Sequence, residues 1–467
     1  MWGAELDTLN GFLAVKNRLT QAVKKATVDY LDVRFEHTDH TRIHFQKTEL
    51  QSISSNESTG GIVRAHHKGG WGQVTFDSID DLDHAISEAC ECAKLVGDGT
   101  TTLADQPIID EEVLADMKHD PRHVTLDEKT AMLGAYNKLI LENDDIESSD
   151  VSYIDQFRTV WFANTRGSYF REDRPTCAVA MGATARRGDL VQSAVEGHRT
   201  HNDFSELIGR EEYALKAVSR AQKLLVAPVC PGGRFSVMLD PEMAGVFIHE
   251  AYGHLSESDL FFEDKALVAE MHIGRHVGPK MLNVIDDGTI PGLVGTQRFD
   301  DEGTPSQKNY LVKDGLLAGH MHSLDTAGKM GEPVSGNCRA NGPKKPPVVR
   351  MTNTYIDNGP DDTADLFKGI DDGIYCCGMF GGNTQMELFT FSAAHGFIIK
   401  NGQVGEMVRD VMLAGNVFQT MDNIDGIGND LEMCKRGGQC GKSGQGIVVT
   451  LGSPHIRIRD VVVGGRQ

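Results

Sequence analysis

The sequence lacks the features that would place it on a membrane or on nucleic acid. None of its apolar runs approaches the roughly 20 residues that a membrane-spanning helix needs. Basic residues are outnumbered, with 46 Lys and Arg against 67 Asp and Glu and a net charge of −21. A chain with this acidic excess offers no basic surface to the phosphates of nucleic acid or of an anionic membrane. We therefore expect no nucleic-acid partner and no membrane partner.

A disulfide pattern and a targeting segment are missing as well. The nine cysteines are odd in number, and neither Cys90 with Cys92 nor adjacent Cys376 and Cys377 has the spacing of bridge partners. The first residues show no basic start and no apolar core of a secretory signal. These absences predict a cytoplasmic protein with reduced thiols.

The length of 467 residues predicts two domains, and the pattern of elements predicts an α+β protein. The alternation at 30–36 is typical of a half-buried strand. Pro228 and the Pro-Gly-Gly run at 231–233 punctuate a shift towards glycine and β patterns. We predict an N-terminal α/β domain over 1–228, with helices packed on a mostly antiparallel sheet. A β-rich C-terminal domain over 232–467 would carry the metal helix described below.

Several local signals predict single elements. The apolar periodicity over about 5–26 predicts an amphipathic helix, and Ser78-x-x-Asp81 resembles a capping box before another helix. The pairs Asp314-Gly315 and Asn401-Gly402, each between alternating apolar residues, predict two tight hairpins. Residues 456–461 alternate in the manner of an edge strand.

The stretch with the most specific chemistry is His249-Glu250-Ala251-Tyr252-Gly253-His254. Asp240 and Pro241, before an apolar run, predict the N-cap and first residue of the helix that leads to it. Two imidazoles can bind a metal, and a carboxylate beside the first can take a proton from water. A helix end with solvated histidines is the alternative.

The spacing of the two histidines departs from the familiar zinc helix, which places them at i and i+4. Here the second histidine is at i+5. In a regular helix it would point about 140° away from the first histidine around the helix axis, whereas a residue at i+4 points only about 40° away. One residue looped out as a π-type bulge would bring the rings together, and Gly253 is the residue most able to absorb that distortion.

A third ligand is needed for a metal site, and Cys440 is a candidate. It lies in a glycine-dense segment, and a thiolate is a good soft ligand for a divalent metal. The segment taken alone also fits a surface turn, and it lacks the spacing of a phosphate-binding loop. Cys434 competes with Cys440 but has fewer glycine neighbours.

Motifs in order along nearly the whole chain resemble the TldD/PmbA family, on the TldD side. The matching segments are 30–34, 249–254, 286–292, 299–303, 350–355, 425–430 and 440–445. The chain departs from the family pattern at Tyr252, where a small aliphatic residue is frequent, and at Ser258, where glycine is usual. Neither position is a proposed ligand.

The resemblance implies a metallopeptidase whose metal is held by His249, His254 and Cys440, with Glu250 as general base. Three protein ligands leave an open position for water. A His2Cys set suits Zn2+ best, while Fe2+ and Co2+ stay open. Glu257 could orient a ligand histidine or belong to a solvated acidic turn.

The function expected on these grounds is metal-dependent hydrolysis of small or unfolded peptides, bound as an added β-strand. The resemblance also implies a two-chain assembly, either a homodimer or a heterodimer with a PmbA-like subunit. The alternative function is that of a non-catalytic, PmbA-like substrate-binding subunit. A role in DNA topology, which some family names suggest, fits poorly with the net charge of −21.

Overall fold

A computed structural model describes residues 9–100, 103–385 and 387–464. Over these ranges the chain forms helices together with largely antiparallel sheets, so the predicted α+β class is confirmed. No helix in the described ranges is long and apolar enough to cross a membrane.

The N-terminal half is built on one seven-stranded sheet. Its strands are β1 (Tyr30–Gln46), β2 (Glu49–His67), β3 (Gly70–Phe76), β4 (Asp110–Val113), β5 (Ile146–Asn164), β6 (Tyr169–Arg187) and β7 (Leu190–Thr200). Their order is β3-β2-β1-β5-β6-β4, with β7 also paired to β6. Neighbouring strands are antiparallel except β4 and β6, which are parallel.

Helices cover one face of this sheet. The side chains on that face belong to odd-numbered residues of the central strands, which are mostly apolar. These helices are α1 (Leu9–Ala22), α2 (Leu82–Val96), α3 (Leu126–Leu141) and α4 (Glu211–Val226). At one end of the sheet, α1 and α2 pack on Leu31 and Val33 of β1. At the other end, α3 and α4 pack on Val151 and Tyr153 of β5.

The opposite face of the sheet is polar, yet it is buried, because the C-terminal half covers it. Arg64 of β2 donates to Asp32 of β1 at 3.0 Å and to Glu302 of the C-terminal half at 2.8 Å. Arg174 of β6 donates to Asp301 at 2.8 Å. Buried charges of this kind are tolerated only when paired, so these contacts fix how the two halves meet.

The C-terminal half contains two further seven-stranded sheets and a small two-stranded one. Its strands are β8 (Gly233–Leu239), β9 (Val284–Asp287), β10 (Lys308–Lys313), β11 (Leu316–Leu317), β12 (Cys338–Arg339), β13 (Val348–Val349), β14 (Asn353–Ile356), β15 (Asp372–Gln385), β16 (Leu388–Lys400), β17 (Gln403–Val408), β18 (Met412–Asn416), β19 (Ile424–Ile427), β20 (Glu432–Met433), β21 (Gly438–Lys442), β22 (Gln445–Ser453) and β23 (Ile456–Gly464). One sheet runs β11-β10-β9-β14-β22-β20, with β21 on β22. The other runs β15-β8-β23-β18-β16-β17, with β19 on β23, and it closes on itself because β15 also pairs with β16.

A short helix lies in the core between these two sheets and leads to the candidate site. The helices of this half are α5 (Pro241–Ile248), α6 (Lys265–Glu270), α7 (Leu324–Met330), α8 (Thr363–Lys368) and α9 (Val417–Asp422). In α5, Phe247 packs edge-on against Phe389 and Phe391 of β16. The same core includes Val284 of β9 and Leu311 of β10. Contacts with both sheets therefore position α5.

Several local predictions are confirmed and others are wrong. Hairpins form at both predicted tips, since Lys313 pairs with Leu316 and Lys400 with Gln403. Ser78 does not form a capping box; its side chain accepts a hydrogen bond from Asp80, within a 3-10 turn that precedes α2. The helix predicted over 5–26 is observed as α1 and a 3-10 turn, and its first residues lie outside the described ranges.

The strand predicted at the edge is central. β23 pairs with β8 on one side and with β18 and β19 on the other. Its apolar residues Ile456, Ile458 and Val461 are buried, whereas Arg459 and Asp460 are partly exposed. The alternation therefore indicated one buried face and one exposed face, and not an unpaired edge. The predicted domain boundary, between 228 and 232, falls between the end of α4 and the start of β8.

Candidate metal centre

Helix α5 begins as its sequence predicts. The Asp240 side chain accepts a hydrogen bond from the Met243 N–H at 2.7 Å, and Pro241 is the first helical residue. The helix then passes into a π-helical turn over His249–Gly253. The predicted π-type distortion is therefore confirmed, and it brings the two histidine rings to a centroid distance of 5.2 Å.

The reason for glycine at the end of this turn differs from the one expected. Gly253 has φ −54° and ψ −51°, a conformation that any residue adopts. A methyl group there would overlap with Sδ of buried Met351 and lie 3.2 Å from its Cε. Glycine is needed because the chain approaches Met351 closely, and not because the backbone is distorted.

The π turn and a distant strand bring three metal-ligating side chains together. One ligand atom from each of His249, His254 and Cys440 lies within 4.8 Å of the others. Cys440 Sγ lies 3.2 Å from His254 Nε2. His249 and Cys440 are buried, while the His254 side chain is 22% exposed. The candidate ligands are therefore sheltered but reachable from solvent.

Cys440 reaches the histidines because of the β21–β22 hairpin. β21 pairs with β22 so that Cys440 lies opposite Ile447. The guanidinium of buried Arg350 donates to the backbone carbonyl of Cys440 and, at 3.1 Å, to that of Gln445. Arg350 therefore ties both strands of the hairpin to the core beside the π turn.

Glu250 lies next to the cluster and keeps contact with solvent. Its side chain is 24% exposed, and its Oε2 atom lies 3.9 Å from His254 Nε2. A carboxylate in this position can accept a proton from a water molecule at the cluster.

Glu257 and Lys442 link the two parts of the site. Glu257 is buried, and its Oε2 atom lies 2.9 Å from His254 Nδ1 and 3.0 Å from Lys442 Nζ. Lys442 also donates to Asp259 and to the Val349 carbonyl. Of the two roles considered for Glu257, orientation of His254 agrees with these contacts, and a solvated turn does not. Lys442 was missed, although its position two residues after Cys440 on a strand places both side chains on one face.

The electrostatics favour a thiolate at Cys440. Burial alone would raise the pKa of this thiol, but hydrogen bonds with His249 and His254 lower it to about 5. Burial opposes protonation of His254, yet its contacts with Cys440 and Glu257 raise its pKa to about 10. The thiolate is the form that binds metals.

Two other residues named in the sequence analysis, Cys434 and Tyr252, are not among the three clustered ligands. Cys434 lines a separate cavity of about 520 Å³ with Glu242 and Arg436, and burial raises its pKa to about 12. Tyr252 is buried in the hydrophobic core around α5, and its hydroxyl has no hydrogen-bond partner among the described residues.

The residues present fit a divalent metal. Two imidazoles and a thiolate form a donor set that suits zinc and leaves one position open. The Nδ1 atom of His249 is buried and has no hydrogen-bond partner among the described residues, whereas Nδ1 of His254 is held by Glu257. The cluster can therefore present two imidazoles and one thiolate to a single cation beside a carboxylate.

Family models match most of the chain. Residues 232–465 match the PmbA/TldA metallopeptidase C-terminal domain, 31–93 match domain 1 of that family, and 119–225 match its central domain. These matches define a protein of the metallopeptidase class. The chain belongs to the TldD/PmbA metallopeptidase family, as the sequence motifs predicted.

Individual relatives agree with this assignment. A metalloprotease of Synechocystis sp. is 38% identical over 444 residues, covering 94% of this chain and 96% of the relative. A metalloprotease TldD homologue of Buchnera aphidicola is 27% identical and covers 97% and 95% of the two chains. Their names support a protease.

Solved structures share the fold. TldE from Thermococcus kodakarensis has a TM-score of 0.74 at 18% identity, covering 97% of this chain and 100% of the other. A Thermotoga maritima protein proposed to be a modulator of a DNA gyrase has a TM-score of 0.77 at 18% identity, with the same coverage. At this level of identity, the likeness concerns the fold alone.

Proposed function

We propose that the chain is a metal-dependent peptidase that hydrolyses peptide bonds in small or unfolded peptides. The observation that carries the proposal is the convergence of His249, His254 and Cys440, with Glu250 beside them. The first two belong to one turn, and the third arrives from a strand nearly 200 residues later. A divalent cation of the zinc class held there would supply a Lewis acid that acidifies water and polarises the substrate carbonyl.

In this proposal the chain's own residues carry the proton and hold the geometry. Glu250 accepts a proton from the attacking water and returns it to the leaving amine. Glu257 accepts a hydrogen bond from His254 Nδ1–H, which leaves Nε2 of that ring free to bind a metal. Lys442 neutralises Glu257, whose carboxylate is buried, and thereby offsets the cost of its burial.

We infer that the substrate binds as an extended peptide, and the free side of β21 supports this proposal. β21 carries Cys440 and is hydrogen-bonded to β22 along one side. Within the described ranges no strand pairs with its other side. A peptide could add there through main-chain hydrogen bonds, which tolerate many side chains. We therefore expect broad sequence preference and no cleavage of folded proteins.

The test of the mechanism is Glu250→Gln, which keeps the shape of the side chain but removes the base. Metal content, measured by mass spectrometry of the purified protein, should stay at the wild-type level. Cleavage of a fluorogenic unstructured peptide should fall by about 10²–10⁴-fold, the usual contribution of a general base. Glu263→Gln, at an exposed position after the π turn, is the matched control and should cleave normally.

Two results would contradict the proposal in different ways. Undiminished cleavage by Glu250→Gln would remove Glu250 from the mechanism. A wild-type protein that holds its metal but cleaves nothing would favour the alternative, a PmbA-like substrate-binding subunit.

We also propose that the chain acts in a two-chain assembly, as a homodimer or with a PmbA-like subunit. Phe380 and Leu388, on the neighbouring strands β15 and β16, are 65% and 64% exposed. They lie on one hairpin, four to five residues apart in its register. Large exposed apolar side chains on one surface are a feature of interfaces. Phe380→Ser should reduce the assembled fraction in light scattering, whereas Leu95→Ser, at another exposed leucine, should not. An unchanged molar mass in both variants would exclude this surface.

A further inference from the structure

A second group of metal-ligating side chains lies outside the candidate metal centre. His320 and His322 flank Met321 in an extended segment, and Glu332 follows α7. One ligand atom from each of His320, His322 and Glu332 lies within 4.8 Å of the others. His320 Nδ1 lies 2.9 Å from Glu332 Oε2, and His322 Nε2 lies 3.0 Å from the same oxygen. Two imidazole nitrogens therefore converge on one carboxylate.

The three residues connect the protein interior with solvent. Both histidine side chains are 1% exposed, whereas that of Glu332 is 19% exposed. Glu332 lines a surface cavity of about 590 Å³ together with Lys329 and His272. A small cation could therefore enter from the cavity and be held by buried donors.

Both ring nitrogens of His322 have buried polar contacts. Nδ1 lies 3.1 Å from Thr326 Oγ1, whose hydroxyl also contacts Ser258 and Ser323. Nε2 lies 3.0 Å from Glu332 Oε2. In the neutral tautomer that carries its proton on Nδ1, the lone pair of Nε2 points towards Glu332 and can bind a cation there.

The polar contacts of His320 also converge on Glu332. Its Nδ1 atom meets both carboxylate oxygens, at 3.1 and 2.9 Å. Its Nε2 atom is buried beside Phe261 and has no hydrogen-bond partner in the described part of the chain. Oε2 of Glu332 therefore lies within 3.0 Å of one ring nitrogen from each histidine.

We propose that His320, His322 and Glu332 bind a second divalent cation, of the zinc class, separate from the candidate metal centre. Two histidines and one glutamate are a donor set that zinc accepts. Bond lengths of about 2.0–2.2 Å in a tetrahedral site imply ligand atoms about 3.3 Å apart. The nitrogen–oxygen separations of 2.9–3.1 Å therefore need to widen by only a few tenths of an ångström.

This cation braces the segment that follows the π turn. Met321 donates its N–H to the Ser256 carbonyl at 2.8 Å and accepts from the Ser258 N–H at 3.1 Å. Glu257 lies between those serines and contacts His254. A cation bound by His320 and His322, on either side of Met321, would fix Met321 in place. Through the two serines, Met321 would then hold Glu257 against His254 of the candidate metal centre.

Zinc titration of the full-length protein after chelator treatment tests the proposal. Wild-type protein should bind two zinc ions per chain. Glu332→Gln should bind one tightly, with the affinity for the other reduced by at least about 10-fold, since even outer contacts of a metal site contribute that much. His272→Asn, on the rim of the same cavity, is the matched control and should bind two. Thermal unfolding in chelator shows whether the variants fold like the wild type.

Anomalous diffraction at the zinc edge locates the ions in wild-type protein, without any variant. A peak between His320, His322 and Glu332 is the expected result. The absence of that peak from zinc-loaded crystals overturns the proposal, as does a second zinc that survives Glu332→Gln with unchanged affinity. Cys440→Ser alters only the candidate metal centre and should keep this peak. The second cation site can therefore be tested even if the proposed peptidase activity is wrong.

Discussion

Replacing Gly253 by alanine tests whether close packing behind the π turn holds the candidate ligands in place. A methyl group at this position would overlap with Met351 Sδ and would lie 3.2 Å from Cε and 3.6 Å from Cγ. Met351 is fully buried, so its side chain cannot swing into solvent. Either the thioether or the turn that carries His254 must therefore move by about 1 Å or more to restore a normal carbon–sulfur contact.

Two opposing effects set the change in the free energy of unfolding. Alanine is more favourable than glycine within a helix by about 1 kcal/mol. Forcing an extra methyl into a packed core costs about 1–3 kcal/mol. The net destabilisation should therefore be small, about 1 kcal/mol. The effect on function should be much larger, because a displacement of about 1 Å at a catalytic group can reduce the rate by about 10²-fold.

Metal affinity, peptide cleavage and urea unfolding of Gly253→Ala should be measured beside two further variants. Gly134→Ala in α3 is the matched control, because its methyl would lie 3.9 Å from Phe45 Cζ, an ordinary contact. It should gain up to about 1 kcal/mol in stability. Adding Met351→Ala to Gly253→Ala should restore part of the metal affinity, although the cavity costs about 2–5 kcal/mol of stability. If Gly253→Ala binds metal, cleaves peptide and gains stability as Gly134→Ala does, the packing argument is wrong.

Further variants address the surroundings of the site. Glu257→Gln weakens the hydrogen bond that orients His254. Metal affinity, measured by equilibrium titration, should therefore fall by about 10–100-fold. An affinity equal to that of the wild type would show that Glu257 is dispensable. Cys434→Ala should keep full metal content by mass spectrometry, because this thiol lies outside the candidate metal centre; loss of one metal ion would reverse the choice between the two thiols. Asp203 has a pKa of about 2, because hydrogen bonds from Ser205 and nearby backbone N–H groups outweigh its partial burial. A carboxyl with a depressed folded-state pKa stabilises the protein above its unfolded-state value near 3.8, and this contribution is lost as the pH falls towards 2. Asp203→Asn should therefore cost up to about 2 kcal/mol in urea unfolding at pH 7, and clearly less at pH 3; an equal difference at both pH values would contradict this linkage.

The fold class could be predicted because periodicity and turn residues act locally. The hairpin at Asn401-Gly402 is an example, since both residues adopt the positive φ that the tight turn requires. The environment of the strands could not be predicted in the same way. The alternation in β1 correctly indicated a strand, but the polar side chains of Asp32 and Arg34 face the C-terminal half rather than water. Periodicity shows that a strand has two different faces, and only the assembled fold shows what covers each of them.

The candidate ligands could be predicted because each is a residue type with specific chemistry in a short motif. The contacts that orient them could not. Glu257 resembled a solvated acidic turn as much as a partner of His254, since a local sequence does not show that a lysine 185 positions later will neutralise it. The His-x-His pair at 320 and 322 did carry a local signal, because side chains two residues apart on an extended segment share a face. Its carboxylate partner, Glu332, lies beyond a helix, so the cluster becomes visible only in three dimensions.

The structure also explains how candidate ligands so far apart in sequence keep a fixed separation before any cation binds. Lys442 follows Cys440 on β21 and donates to Glu257, which in turn contacts His254. Arg350 donates to the carbonyl of Cys440, so the same strand is held from its backbone as well as from its side chains. A site held by such contacts pays little ordering entropy when it binds a metal. Neutralising the Lys442 side chain should therefore weaken metal binding even though the lysine is not a ligand, because the strand would lose its side-chain link to Glu257 and be held beside the π turn less firmly.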